Sequence, residues 1–175
     1  GTIENARLVE EEQRQRRLAE SLREVAMVLN MSLELETVLN RILEQIGQVI
    51  RHNGAAIFLR DGDDLILTAG AVIDEAIVGN RIPILGQSPE AVVYRQKRAL
   101  IIADVHDEPH WISWHHSGPI RSWMGAPLFV GEKVIGIITA ANFEIGTFME
   151  EDGQILQTFA NQAAMAIENA RQVQH

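Results

Sequence analysis

The hydrophobic period of this chain changes at Asn53-Gly54. On the amino-terminal side, Leu35, Val38, Leu39, Ile42, Leu43, Ile46, Val49 and Ile50 recur at the i, i+3, i+4, i+7 spacing of one helix face, which must pack on a core. On the other side, Ala56-Ile57-Phe58-Leu59 and Leu65-Ile66-Leu67-Thr68 bracket Asp61-Gly62-Asp63-Asp64, the pattern of two strands joined by a tight turn. A second hairpin is predicted from Met124–Val130 and Lys133–Ala141 around Gly131-Glu132. Between the hairpins, residues 70–87 are irregular, with Pro83 and Gly86 marking loop. Ser88-Pro89-Glu90 then supplies an N-cap, a first-turn proline and an acidic residue ahead of a short helix, and Leu100-Ile101-Ile102 a short strand. This order is that of an α+β domain, an antiparallel β-sheet with helices packed on one face, and not of a doubly wound sheet.

Both ends read as long helices. Residues 4–30 contain neither glycine nor proline, and Leu8, Leu18, Leu22, Val25 and Leu29 fall on a line spaced by three and four that Glu11 and Gln15 interrupt. An exposed, charged helix has little of its own to cover such a stripe, so a partner helix is the natural expectation. Ser32 is the expected N-cap of the following helix, with Glu34 and Glu36 in its first turn. At the other end a helix is predicted over 150–172, with Leu156, Phe159, Ala163, Ala166, Ala170 and Val173 forming a heptad seam that Ala160, Ala164 and Ile167 widen. Its first part is expected on the sheet and its end against a neighbouring chain.

Composition removes several classes of function. The 175 residues include no cysteine, which excludes disulfides, thiolate metal ligands and cysteine nucleophiles. A net charge of -9, with Lys97 and Lys133 the only lysines, repels phosphate backbones, so no nucleic acid partner is expected. No apolar run approaches the roughly 20 residues that span a bilayer, and the amino terminus is not signal-like, so a cytoplasmic chain without direct membrane contact is expected.

Three segments carry a family resemblance: Ile120-Arg121-Ser122-Trp123-Met124-Gly125-Ala126-Pro127-Leu128, Gly131-Glu132-Lys133-Val134-Ile135-Gly136-Ile137-Ile138, and Phe159-Ala160-Asn161-Gln162-Ala163-Ala164-Met165-Ala166-Ile167-Glu168-Asn169-Ala170-Arg171. Together they resemble the GAF domains, PAS-related in fold, of bacterial sensor histidine kinases and other multidomain signalling proteins. The resemblance divides the chain into a signalling and dimerisation helix over 1–31, a GAF domain over 32–172 that includes the helix 150–172, and a tail over 173–175. It implies a pocket between one face of the sheet and its covering loops, a parallel homodimer formed by the terminal helices, and an output domain in the same polypeptide. The expected function is therefore non-enzymatic: a sensory domain of a two-component type of signalling protein, binding a small molecule non-covalently and relaying its presence through a coiled coil.

Candidate site residues follow from weighing the family's chemistries against these residues. The cyclic-nucleotide pattern is Asn-Lys, then Phe, then Asp-Glu. Asn142, Phe148 and Asp152 match it, but Phe143 replaces the lysine and Gly153 the glutamate, removing the aspartate's charge partner. Bilin attachment and the reduction of free methionine sulfoxide both need cysteine, so the resemblance gives no covalent bilin and no reductase here. The stretch 104–122, expected as an ordered loop, holds two of the three tryptophans and four of the six histidines. His106, His110, His115 and His116, with Asp104, Asp107 and Glu108 nearby, raise a haem or metal site, but their spacing matches no ligand motif, and solvated histidines are the favoured reading. Trp111, Trp114 and Trp123 can wall a pocket or close the core, and Arg121 can clamp an anion or form an ion pair, the safer reading. The pocket candidates are Ile57, Trp111, Trp114, His115, His116, Arg121, Trp123, Thr139 and Asn142, and the dimer candidates are Leu18, Leu22, Val25, Leu29 and the seam from Leu156 to Val173. The cofactor is unknown. Two other readings stand beside the sensor: a ligand-free dimerisation and transmission module, and a haem- or metal-binding gas or redox sensor.

Overall fold

The computed structural model describes residues 2–73, 75–111 and 119–172. The elements run α1 (Thr2–Val49), β1 (Gly54–Asp61), β2 (Asp64–Ala71), β3 (Arg81–Pro83), α2 (Pro89–Gln96), β4 (Leu100–Ile102), β5 (Ser122–Val130), β6 (Lys133–Asn142) and α3 (Glu150–Gln172), with single 3-10 turns at Glu75–Ile77 and Val105–Asp107. The strands form one six-stranded sheet in the order β3-β2-β1-β6-β5-β4, antiparallel at every step. Both predicted hairpins are present, and Gly62 and Gly131 supply the left-handed turn conformations, with φ of 61° and 63°. No helix of the described residues is long and apolar enough to cross a membrane.

Each face of the sheet has its own core. Ala55, Ile57 and Leu59 of β1, Met124, Ala126 and Leu128 of β5, and Ile138 and Ala140 of β6 face one side. There they meet Leu39, Leu43 and Ile46 of α1 and Leu156, Ala160, Ala163, Ala164 and Ile167 of α3. The alternate residues, Ala56 and Phe58, Trp123, and Ile137 and Ala141, face the other side against Val93 of α2, Ile77, Ile82, Ile84 and Val105. The two long helices thus share one face, while α2 and the connecting loops cover the second. Gly136 serves the pairing of β1 with β6: a Cβ there would stand 2.2 Å from the Phe58 carbonyl oxygen, so the close neighbour is a strand backbone.

The predicted break at Ser32 is absent. A single helix of 48 residues runs through it, and Glu34 and Glu36 therefore lie in its interior. No glycine or proline interrupts residues 27–36, and an interior serine costs a helix only a few tenths of a kcal/mol, less than renucleating a second helix. The two halves of α1 have different surroundings. From Leu35 onward one face is buried, whereas Leu8, Leu18, Leu22, Val25 and Leu29 are each more than half exposed. These amino-terminal 33 residues extend about 50 Å at the helical rise.

The carboxy-terminal seam needs correction. Leu156 and Ala163 are wholly buried in the domain's own core, and Phe159 and Ala166 pack partly buried against it. Packing on α1 and the sheet thus takes Leu156 and Ala163 out of any seam with another chain, in keeping with the expectation that the first part of α3 lies on the sheet. Ala170 is half-buried near the helix end, and Val173 lies outside the described residues.

Candidate functional site

The second face of the sheet encloses a cavity of about 50 Å³. Room for a water-sized group is roughly 10–15 Å³, so the space takes a few such groups. Its floor is β1, β5 and β6, through Ala56, Phe58, Trp123, Thr139 and Ala141, and its sides include Leu67, Ile73, Ile77, Trp111 and Ile120. Trp111 and Trp123 meet edge to face, with ring centroids 6.2 Å apart and planes at 72°. At the rim stands Val72, exposed and in the left-handed region at φ 59°, a conformation that β-branched residues rarely adopt.

One charged group lines this apolar space. Glu90, in the first turn of α2, is only 2% exposed. Ser88 caps the helix by accepting the Ala91 N–H at 3.2 Å, Pro89 opens the first turn, and Lys97 closes it in a left-handed conformation. Two arginines pin the helix: Arg60 of β1 donates to the Tyr94 hydroxyl at 2.9 Å, and Arg95 donates to the carbonyls of Ile84, at 2.6 Å, and Gly86. Burial of the carboxyl pushes its pKa up to about 7, against weaker stabilisation of the anion by its own backbone N–H and the Ser88 hydroxyl. Its Oε2 has no hydrogen-bond partner. No other titratable side chain lines the cavity among the described residues.

The profile of the GAF domain matches residues 32–168. The chain belongs to the GAF family. Domains of this family serve as regulatory and sensory parts of signalling proteins. Among solved structures, the fold is similar to the GAF domain of a phosphoenolpyruvate-protein phosphotransferase from Coxiella burnetii, with 20% identity, a TM-score of 0.72, and 87% of this chain and 94% of that chain covered. It is also similar to a free methionine-R-sulfoxide reductase from Neisseria meningitidis in complex with its substrate, at 22% identity and a TM-score of 0.69, covering 82% and 84% of the two chains. The GAF-B domain of DevS from Mycobacterium smegmatis is similar at 18% identity and a TM-score of 0.65, covering 78% and 95%. No curated protein matches this sequence.

Of the residues that sequence alone nominated for the GAF pocket, Trp111, Trp123 and Thr139 come together around the cavity. Trp114, His115 and His116 lie outside the described residues. Ile57 is on the wrong face: its side chain packs among α1 and α3, and its neighbours Ala56 and Phe58 line the cavity instead. Asn142 sits beside the cavity but is turned to the backbone, its side chain donating to the Arg51 carbonyl at 3.5 Å and accepting the Glu144 N–H at 3.2 Å. Arg121 forms the expected ion pair, its Nη2 3.1 Å from Asp104 Oδ2 and its Nε 3.3 Å from Oδ1. Arg121, and then the His106 backbone N–H, hold the Asp104 carboxyl below its usual range. His106 and His110 are exposed, and no group of three His, Asp or Glu side chains poised for a metal occurs among the described residues.

The residues that matched the cyclic-nucleotide pattern have structural roles. Phe148 is buried in the core under α1 and α3. Asp152 accepts the Met149 N–H at 2.8 Å and so caps α3. Sequence reading missed Glu90 as a site residue, because acid in a helix first turn is ordinarily solvent-exposed. The available signal was Glu90 between Ser88-Pro89 and an apolar run, a helix start whose first turn is then buried.

Proposed function

We propose that this GAF domain is the sensory module of a cytoplasmic signalling protein, of the sensor histidine kinase class. In this reading a small molecule binds non-covalently in the cavity between Trp111, Trp123, Thr139 and Glu90, and parallel pairing of α1 across a homodimer relays the state of that cavity to an output domain. The observation that carries the reading is α1 itself. One unbroken helix has Leu39, Leu43 and Ile46 buried in the domain core and Leu18, Leu22, Val25 and Leu29 exposed on its amino-terminal half. A rigid element embedded in the sensor at one end and carrying an unpartnered apolar stripe at the other supports transmission between chains.

The lack of cysteine supports a non-catalytic role, since the sulfoxide chemistry named for one structural neighbour depends on that residue in the family. A second reading, the ligand-free transmission module, draws on the cavity's small volume of about 50 Å³. A thermal-shift screen of the intact chain against small metabolites separates the two. At least one compound raising the Tm by several degrees supports sensing, and a screen without any such compound supports transmission alone. An absorbance scan and elemental analysis of the purified protein test the haem or metal alternative, which two empty results would remove.

A further inference from the structure

The chemistry of the cavity wall restricts what can enter it. An anion would face Glu90 across a space of low polarity, where like charges repel strongly. A purely apolar ligand would leave the buried Glu90 Oε2 without a hydrogen bond, an unfavourable state for a charged group. Trp111 and Trp123 present aromatic surfaces that attract cations, and Thr139 adds a hydroxyl to the wall. We propose that the cavity takes a small nitrogen base of about three to five heavy atoms, whose N–H donates to Glu90 Oε2 while its planar or apolar part rests against Trp111 and Trp123. This rests on the sensory reading above and names the ligand class for the same cavity. Ser88 and the Glu90 backbone stabilise part of the carboxyl, while its buried Oε2 has no partner and would gain its missing hydrogen bond from the ligand.

Methylguanidinium, N-methylurea and acetate are near-isosteric probes carrying a positive, zero and negative charge. Titrated into the intact chain and followed by the indole N–H resonances of Trp111 and Trp123, methylguanidinium is expected to shift both saturably. It should bind at least about tenfold more tightly than N-methylurea, with no saturable response to acetate. Because guanidinium does not titrate in this range, its affinity should rise from pH 6 to pH 8 as Glu90 ionises. Glu90→Gln should flatten that rise and weaken binding about tenfold or more while leaving the circular dichroism unchanged. Tighter binding of acetate or N-methylurea, equal binding of methylguanidinium by the Glu90→Gln variant, or no binding by any probe overturns the proposal. A metabolite-screen hit that is anionic, or whose affinity ignores Glu90, overturns it too while leaving the sensory reading intact. A screen without hits removes the sensory reading itself.

Discussion

The indole of Trp123 lies over the backbone of Gly125: a Cβ placed at Gly125 would stand 2.6 Å from Trp123 Cη2 and 2.9 Å from Cζ2. The two residues are neighbours on the cavity side of β5, and the missing side chain is what lets the ring lie along the strand. Gly125 therefore sets the cavity floor by positioning the tryptophan.

Gly125→Ala should lift the Trp123 ring toward the cavity and cost about 1–3 kcal/mol, the usual penalty of overpacking. Urea denaturation measures the loss, and a shift in tryptophan fluorescence reports the displaced ring. Unchanged stability and emission would contradict this role for Gly125.

The buried carboxyl predicts a specific pH dependence. Its folded pKa of about 7 lies above the ordinary 4.5, so the folded state holds the proton more tightly than the unfolded state. Stability from this group is greatest below pH 4.5, falls as pH rises from 4.5 to about 7, and is flat above. The full difference corresponds to about 3 kcal/mol. Glu90→Gln should thus stabilise the protein by up to about 3 kcal/mol at pH 8 and change it little at pH 4. Urea midpoints of the two proteins across this range test it, since other titrating groups cancel in the comparison. A pH-independent difference would show that Glu90 is not held in a desolvated site.

The Asp104–Arg121 pair predicts the opposite trend. A carboxyl held below its usual pKa stabilises the fold above its unfolded pKa, and the contribution fades as pH falls through the depressed folded value. Asp104→Asn should therefore be less stable than the parent at neutral pH, and the two should converge in acid. Acid titration of both, monitored by circular dichroism, checks the convergence.

The two halves of α1 should respond differently to the same substitution. Ile46→Ala, in the wholly buried half, should cost about 2–5 kcal/mol of folding stability. Leu22→Ala, on the exposed half, should leave the folding of the dilute chain within about 0.5 kcal/mol and lower the mass measured by sedimentation at higher concentration. Removing residues 1–30 should have the stronger effect on mass, and an unchanged mass would remove this helix from the dimer contact.

Val72 offers a gain rather than a loss. Glycine lacks the Cβ that clashes in the left-handed region, so Val72→Gly should stabilise the domain by about 1 kcal/mol, less whatever its greater unfolded-state freedom takes back. A lower urea midpoint would show that the rim conformation is not strained.

Much of the fold could be read from residues whose local chemistry has one solution. Ser88-Pro89 opens a helix because a side-chain acceptor and a proline without an N–H both suit that position, and Gly62 and Gly131 mark turns that need positive φ. The misreadings share a cause, which is that burial depends on distant partners. Ser32 looks like a cap, but only the surrounding chain decides whether a serine starts a helix or sits within one. In Ala55 to Leu59 every residue is buried, so no polar alternation reveals that Ile57 faces the long helices and Phe58 the cavity. Likewise Glu90 reads as a solvated first-turn acid, because its burial comes from the sheet beneath α2. Trp111, Trp123 and Thr139 were legible because aromatic residues and a strand threonine near a family pocket have few other places to go.

Ligand-derived density in the cavity tests the central claim most directly. A crystal structure of the intact chain, as purified and after soaking with the metabolites that raise its Tm, is expected to show a small molecule in the cavity against Trp111 and Trp123 with an N–H on Glu90. An interior closed by its own side chains in every such crystal would contradict the sensory reading and leave α1 a transmission helix without a signal of its own to send.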